Sequence, residues 1–184
     1  MHSLFQYAGM TKAKSVNLLG EREHYSEALA LLKKPGDYAL VRRGIPRSVV
    51  MACPDACGDI LALNLDRRAG KAWRIYGYPI RLSVYPSVWR ESGCRAHFIV
   101  WQGRILWCLA ETHETPRIEQ SLVNDVLGRL PSNQFVHYEE LANSADLNPW
   151  EVLWACDVLV QNRKAIKGPK GTFKARITGK SGKE

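Results

Sequence analysis

The run Ser26-Glu27-Ala28-Leu29-Ala30-Leu31-Leu32 is built from good helix formers, and Pro35-Gly36 stops it. The first twenty or so residues show no clear period, so residues 1–34 read as an N-terminal extension carrying one short helix. From Tyr38 onward the pattern changes to short apolar runs of β type, separated by turn residues. The runs are Tyr38–Arg42, Ser48–Ala52, Ile60–Leu65, Ala72–Tyr76, Arg81–Tyr85, Ala96–Trp101 and Arg104–Leu109. The last two are joined by Gln102-Gly103, which predicts a tight hairpin. Residues 35–112 are therefore expected to form a small antiparallel β-rich domain.

Past Pro116 the period becomes helical. Ile118, Leu122, Val126 and Leu130 fall on one face, and Pro131-Ser132-Asn133 ends it. A short extended piece, Gln134–Val136, leads into a helix over Tyr138–Asn143. Asn148-Pro149-Trp150-Glu151 is then a strong helix start, with Asn as cap, Pro in the first turn and Glu three residues after the cap. That helix groups Val152, Leu153, Cys156, Leu159 and Val160, and a hairpin follows around Gly168-Pro169-Lys170-Gly171. Helix, short strand, helix, capped helix and hairpin is the order of a winged-helix domain, here over residues 116–177. The fold class expected is α+β, a β-rich domain followed by a winged helix, with residues 178–184 as a basic tail.

Composition adds little to the class but sharpens the charge. Apolar residues at 46% and charged residues at 24% are ordinary for a folded protein. No run of about 18 apolar residues offers a membrane span. No secretory signal is seen at the N-terminus, so the five cysteines are expected to stay reduced in the cytoplasm. Net charge is +8, from 26 basic and 18 acidic side chains. Eight of the basic residues lie between Asn162 and Glu184, against Glu184 alone, so nearly all the excess sits in the wing and tail.

Those cysteines suggest a metal site. Cys53-Pro54-Asp55-Ala56-Cys57-Gly58 places two thiols in one turn, and Cys94-Arg95-Ala96-His97 supplies a second pair with the gap usual for structural zinc. Cys53, Cys57, Cys94 and His97 would close a tetrahedral shell, with Cys108 as an alternative fourth ligand. The competing reading makes the cysteines small core residues; Cys156, on an apolar helical face, is assigned to packing. The deaminase and zincin signatures are missing, so a bound zinc is expected to be structural. Neither a phosphate-binding loop nor a Gly-x-Ser-x-Gly elbow is found, and no motif supports enzyme activity.

A winged helix raises DNA binding. Here the outward face of the third helix carries Trp150, Glu151, Trp154, Asp157 and Gln161, which suit phosphates and base edges poorly. Trp150 and Trp154 either pack within the domain or form a protein-contact hot spot. Arg163, Lys164, Lys167, Lys170, Lys174 and Arg176 are the candidates for non-specific nucleic-acid contact.

The residues Val41-Arg42-Arg43-Gly44-Ile45-Pro46-Arg47, Cys53-Pro54-Asp55-Ala56-Cys57-Gly58, Pro86-Ser87-Val88-Trp89-Arg90 and Gly93-Cys94-Arg95-Ala96-His97-Phe98 carry a resemblance. Over about residues 35–110 the chain resembles an uncharacterised bacterial domain family accompanying ubiquitin-like conjugation genes, beside E1-, E2- and JAB-type partners, some in antiviral defence. The resemblance implies zinc at Cys53, Cys57, Cys94 and His97, and leaves Cys108 open. The function expected is a non-enzymatic, zinc-stabilised adaptor or ligase-like scaffold whose partners are E1-, E2- or ubiquitin-like proteins. The alternative is a winged-helix regulator that grips nucleic acid through the basic wing and tail.

Overall fold

A computed structural model describes residues 11–108 and 116–177. The chain divides into two compact units, Met1–His113 and Glu114–Glu184. The architecture is mixed α+β, with four α-helices and several small sheets among the described residues.

The first unit is organised by one four-stranded sheet in the order β1 (Asn17–Arg22), β2 (Asp37–Arg43), β3 (Ile45–Ala52), β4 (Ile60–Asn64). Strands β2, β3 and β4 run antiparallel, but β1 lies parallel to β2. Helix α1 (Tyr25–Leu31) makes that crossover. Within residues 35–108 every strand pair is antiparallel, as expected; the parallel strand comes from residues 17–22, read as part of the N-terminal extension, where the sequence shows no period. A bulge between Leu18 and Glu21 breaks the alternation, and Gly20 within it takes φ +120°.

Side chains alternate across this sheet because strand residues point to opposite faces in turn. Ala39, Val41, Val50 and Ala52 face one way and pack with Ala28 and Leu32 of the α1 segment. Tyr38, Leu40, Val49, Met51, Leu61 and Leu63 face the other way and form the larger core with Val84, Val88, Phe98 and Val100. Those partners come from β6 (Ser83–Tyr85), which pairs with β5 (Arg74–Tyr76), and from the three-stranded sheet β7 (Val88–Trp89), β8 (His97–Trp101), β9 (Arg104–Trp107). The β8–β9 hairpin turns at Gln102-Gly103, and both residues have positive φ, as a two-residue type I′ turn requires.

Buried Tyr38 supplies a pH prediction. Burial pushes its hydroxyl up to about 12 from the usual 10.0. Its contribution to stability is therefore complete below pH 10 and is lost as pH climbs toward 12, because the unfolded chain gives up the proton first. Tyr38→Phe should flatten this part of the alkaline stability profile, measured by urea unfolding between pH 9 and about 11.5. An unchanged slope would show that Tyr38 does not drive the loss.

The second unit runs α2 (Gln120–Arg129), β10 (Val136–His137), α3 (Tyr138–Ser144), α4 (Pro149–Gln161), β11 (Ala165–Lys167) and β12 (Thr172–Ala175). The strands form one antiparallel sheet in the order β10-β12-β11. Val123, Val126, Leu141, Val152, Ala155, Cys156, Leu159 and Phe173 are its buried centre. Helix α4 starts where Asn148 Oδ1 accepts a hydrogen bond from the Trp150 N–H at 3.1 Å, with Pro149 in the first turn. Asn148→Ala should cost about 1 kcal/mol and Asn148→Asp much less, read by urea denaturation. Equal losses would assign the cost to burial of Asn148 rather than to the cap. No helix among the described residues is long and apolar enough to cross a membrane.

Candidate active site and thiolate cluster

Two groups of side chains meet around the β7–β8 hairpin. The first follows from strand register. Val88 pairs with Phe98 and Trp89 with His97, so Trp89 and His97 stand directly opposite on one face. Their rings stack at a centroid separation of 5.7 Å. Carrying the alternation back two residues from Trp89 puts Ser87 on the same face, diagonal to His97. Ser87 Oγ lies 3.0 Å from His97 Nε2. Both residues are half-buried, and the Trp89 side is open to solvent, with that residue 65% exposed.

A hydroxyl on an imidazole nitrogen at this distance can lose its proton to the ring as it attacks a carbonyl carbon. Beside His97 opens a cleft of about 370 Å³ lined by Lys12, Asp55, Cys94, Arg95, Ala96 and Trp107. Its rim is charged: Lys12 pairs with Asp55 and also lies 4.9 Å over the Trp107 ring.

The second group is the thiols. Cys53 follows Val49 and Met51 on the alternation of β3 and is buried in the larger core. The turn after it closes with the Ala56 N–H donating to the Cys53 carbonyl, Ala56 at φ +61° and Gly58 at φ +86°. That turn brings Cys57 back toward Cys53, while the loop between β7 and β8 delivers Cys94. The three sulfur atoms lie within 4.8 Å of one another and could bind a metal ion. Arg90 Nη1 lies 3.1 Å from Cys94 Sγ and 3.3 Å from Cys57 Sγ, and it pairs with Asp59 Oδ2 at 2.6 Å.

Electrostatics differ among the three. Burial pushes the Cys53 and Cys57 thiols up. Burial opposes ionisation of Cys94 as well, but the Ala96 N–H, the neighbouring thiols and the Arg90 guanidinium outweigh it and leave this thiol below its ordinary value. For Arg90, burial disfavours the charge and Asp59 and Cys94 more than restore it.

His97, expected as the fourth ligand, does not join the cluster. Register turns its ring toward Ser87 instead. Cys108 does not join it either; it pairs with His97 through backbone, and burial raises its thiol. All five cysteines are free thiols. On the second unit, Trp150 and Trp154 stack on each other at 6.1 Å and are half-buried. Arg163, Lys164, Lys170 and Arg176 are exposed. Lys167 pairs with Asp157 at 2.8 Å, and Lys174 lies 4.8 Å over the Phe135 ring.

Sequence reasoning missed Ser87 as a nucleophile because no elbow motif surrounds it. The available signal was positional: Ser87 and His97 flank a turn and fall on the same face once the hairpin is paired.

Residues 24–108, a little under half of the chain, match the family described as bacterial ubiquitination-like system serine protease (BubE). The match spans Ser87, His97 and the three clustered cysteines. No curated protein and no solved structure matches the chain. The description of the matched family as a serine protease overturns the expected non-enzymatic adaptor, and it does not favour the nucleic-acid regulator. In the part of the chain that holds the Ser87–His97 pair, this protein is similar to a serine protease of a bacterial ubiquitination-like system.

Proposed function

We propose that the chain is a serine protease of a bacterial ubiquitin-like modification system, with Ser87 as nucleophile and His97 as general base. The observation that carries this reading is the 3.0 Å approach of Ser87 Oγ to His97 Nε2 inside the matched span. In the first step Oγ attacks the substrate carbonyl and His97 takes its proton. His97 then gives that proton to the leaving amine, which departs and leaves an acyl-serine. Water repeats the sequence and releases the acid. The substrate is a ubiquitin-like protein of the same system, cut at an acyl bond made through its C-terminus. An open site with a largely exposed indole beside it suits a protein better than an enclosed small molecule.

Zinc is the ion proposed for the cluster. Two thiolates bound to one zinc at about 2.3 Å, at a tetrahedral angle, stand about 3.8 Å apart. Cys53 Sγ and Cys94 Sγ are 3.8 Å apart. Cys53, Cys57 and Cys94 would hold the ion, whose contribution is to fix the loop between the strands of Ser87 and His97. The second unit is read as a winged helix, with Trp150 and Trp154 offered to a protein partner such as an E1- or E2-like protein, in the reducing cytoplasm.

The test is covalent. A fluorophosphonate probe should label the chain once, on the peptide containing Ser87, and a ubiquitin-like protein carrying a C-terminal extension should be cut at the junction. Labelling at another serine would overturn the assignment.

A further inference from the structure

Arg90 is three residues beyond Ser87 and four before Cys94, in the connection between β7 and β8. Its backbone N–H donates to the Ala96 carbonyl at 3.0 Å, which extends the β7–β8 ladder by one rung. Its side chain is only 17% exposed and folds back over the thiols. There one nitrogen faces two sulfurs and a carboxylate at once, Cys94 at 3.1 Å, Cys57 at 3.3 Å and Asp59 at 2.6 Å. Gly93 makes the room: a Cβ at that position would come within 3.0 Å of Arg90 Nη2 and 3.3 Å of Asp59 Oδ2, on a backbone already at φ +69°. Among the described residues no fourth His, Cys, Asp or Glu ligand atom joins the three sulfurs. The guanidinium faces two of the three sulfurs, those of Cys57 and Cys94.

We infer that Arg90 is a positioning residue that couples the thiolate cluster to the Ser87–His97 pair, holding the cluster's outer face while its own backbone locks the register that brings Ser87 onto His97. This rests on the proposed serine protease reading. The physical logic is that of an outer-shell donor. Hydrogen bonds to metal-bound sulfur disperse thiolate charge, and here one end of the Arg90 guanidinium, Nη1, meets Cys57, Cys94 and the Asp59 carboxylate together. A lysine ammonium carries the same charge but lacks the planar fork, so it should replace the function only in part.

The experiment uses the full chain loaded with zinc and compares Arg90→Gln, Arg90→Lys and Asp59→Asn. Two quantities are read: zinc retention against a colour-forming chelator, and the second-order rate of fluorophosphonate labelling at Ser87. Arg90→Gln should lower both about tenfold, the scale of outer-shell losses, and Arg90→Lys should recover part of each. In cobalt-loaded protein, Arg90→Gln should shift the thiolate-to-cobalt charge-transfer band, because the sulfurs lose a donor.

Should Arg90→Gln fail to fold by circular dichroism, Asp59→Asn carries the test, since it keeps the arginine and removes its anchor; both quantities should then fall by a smaller factor. Wild-type values of either quantity in a folded Arg90→Gln, or of both in Asp59→Asn, overturn the coupling. Ser87→Ala separates the two readings. Labelling that survives it overturns the assignment of Ser87, whereas labelling that vanishes while Arg90→Gln labels normally overturns only the role of Arg90.

Discussion

Ser87→Ala should lower the proposed hydrolysis roughly a thousandfold or more while leaving the fold intact, and His97→Ala should do the same. The scale follows from how nucleophile and base act as one unit: without Oγ no acyl intermediate forms, and without the imidazole the hydroxyl keeps its proton. The double variant should be no worse than either single one, because each removes the same step. Ser87 is half-buried and not part of the apolar core, so its loss of one oxygen should leave the thermal midpoint nearly unchanged. Cleavage of the extended ubiquitin-like substrate, followed by mass spectrometry, gives the rates. Activity within tenfold of wild type in Ser87→Ala would remove the serine mechanism altogether.

Metal loss is the second large effect. The purified chain should hold one zinc, and Cys53→Ser, Cys57→Ser or Cys94→Ser should each bring the content close to zero. Removing a structural metal belongs to the few changes that cost about 4 kcal/mol or more. For a chain of this size that lowers the unfolding midpoint by roughly 10 °C. Activity should fall with it, since Cys94 sits in the loop that joins the strand after Ser87 to the strand of His97. Metal analysis and calorimetry with and without a chelator make the measurement. Protein free of metal as purified, or Cys53→Ser with unchanged metal content and stability, would sink the zinc assignment.

Much of the fold was legible from pattern alone because local chemistry dictates it. The β runs from Tyr38 to Trp107 stand out as short apolar stretches between turn residues, and Gln102-Gly103 can hardly do anything but turn a hairpin. Asn148-Pro149 announces helix α4 through a cap whose donor and acceptor are two residues apart. Strand β1 was illegible because a bulge at Gly20 breaks its period. Its parallel pairing was equally hidden, since partner choice is not encoded within the strand itself. The trio of cysteines was legible in its spacing. The fourth ligand expected from reading Cys94-Arg95-Ala96-His97 as one knuckle lies apart from the three sulfurs, because His97 belongs to strand β8.

The sequence by itself determined most of the elements and their turns, the concentration of positive charge after Asn162 and the set of cysteines able to gather. Each depends on neighbours within a few residues, or on a count. Only the tertiary structure decided what His97 does. Its side could have served Cys94, but the pairing of Trp89 with His97 fixes which face the ring takes, and that face carries Ser87. A shift of one residue in this register would send the imidazole to the opposite face and separate the pair, because strand side chains alternate with period two. The catalytic proposal therefore rests on a contact between a residue just before β7 and one on β8, which no local pattern expresses.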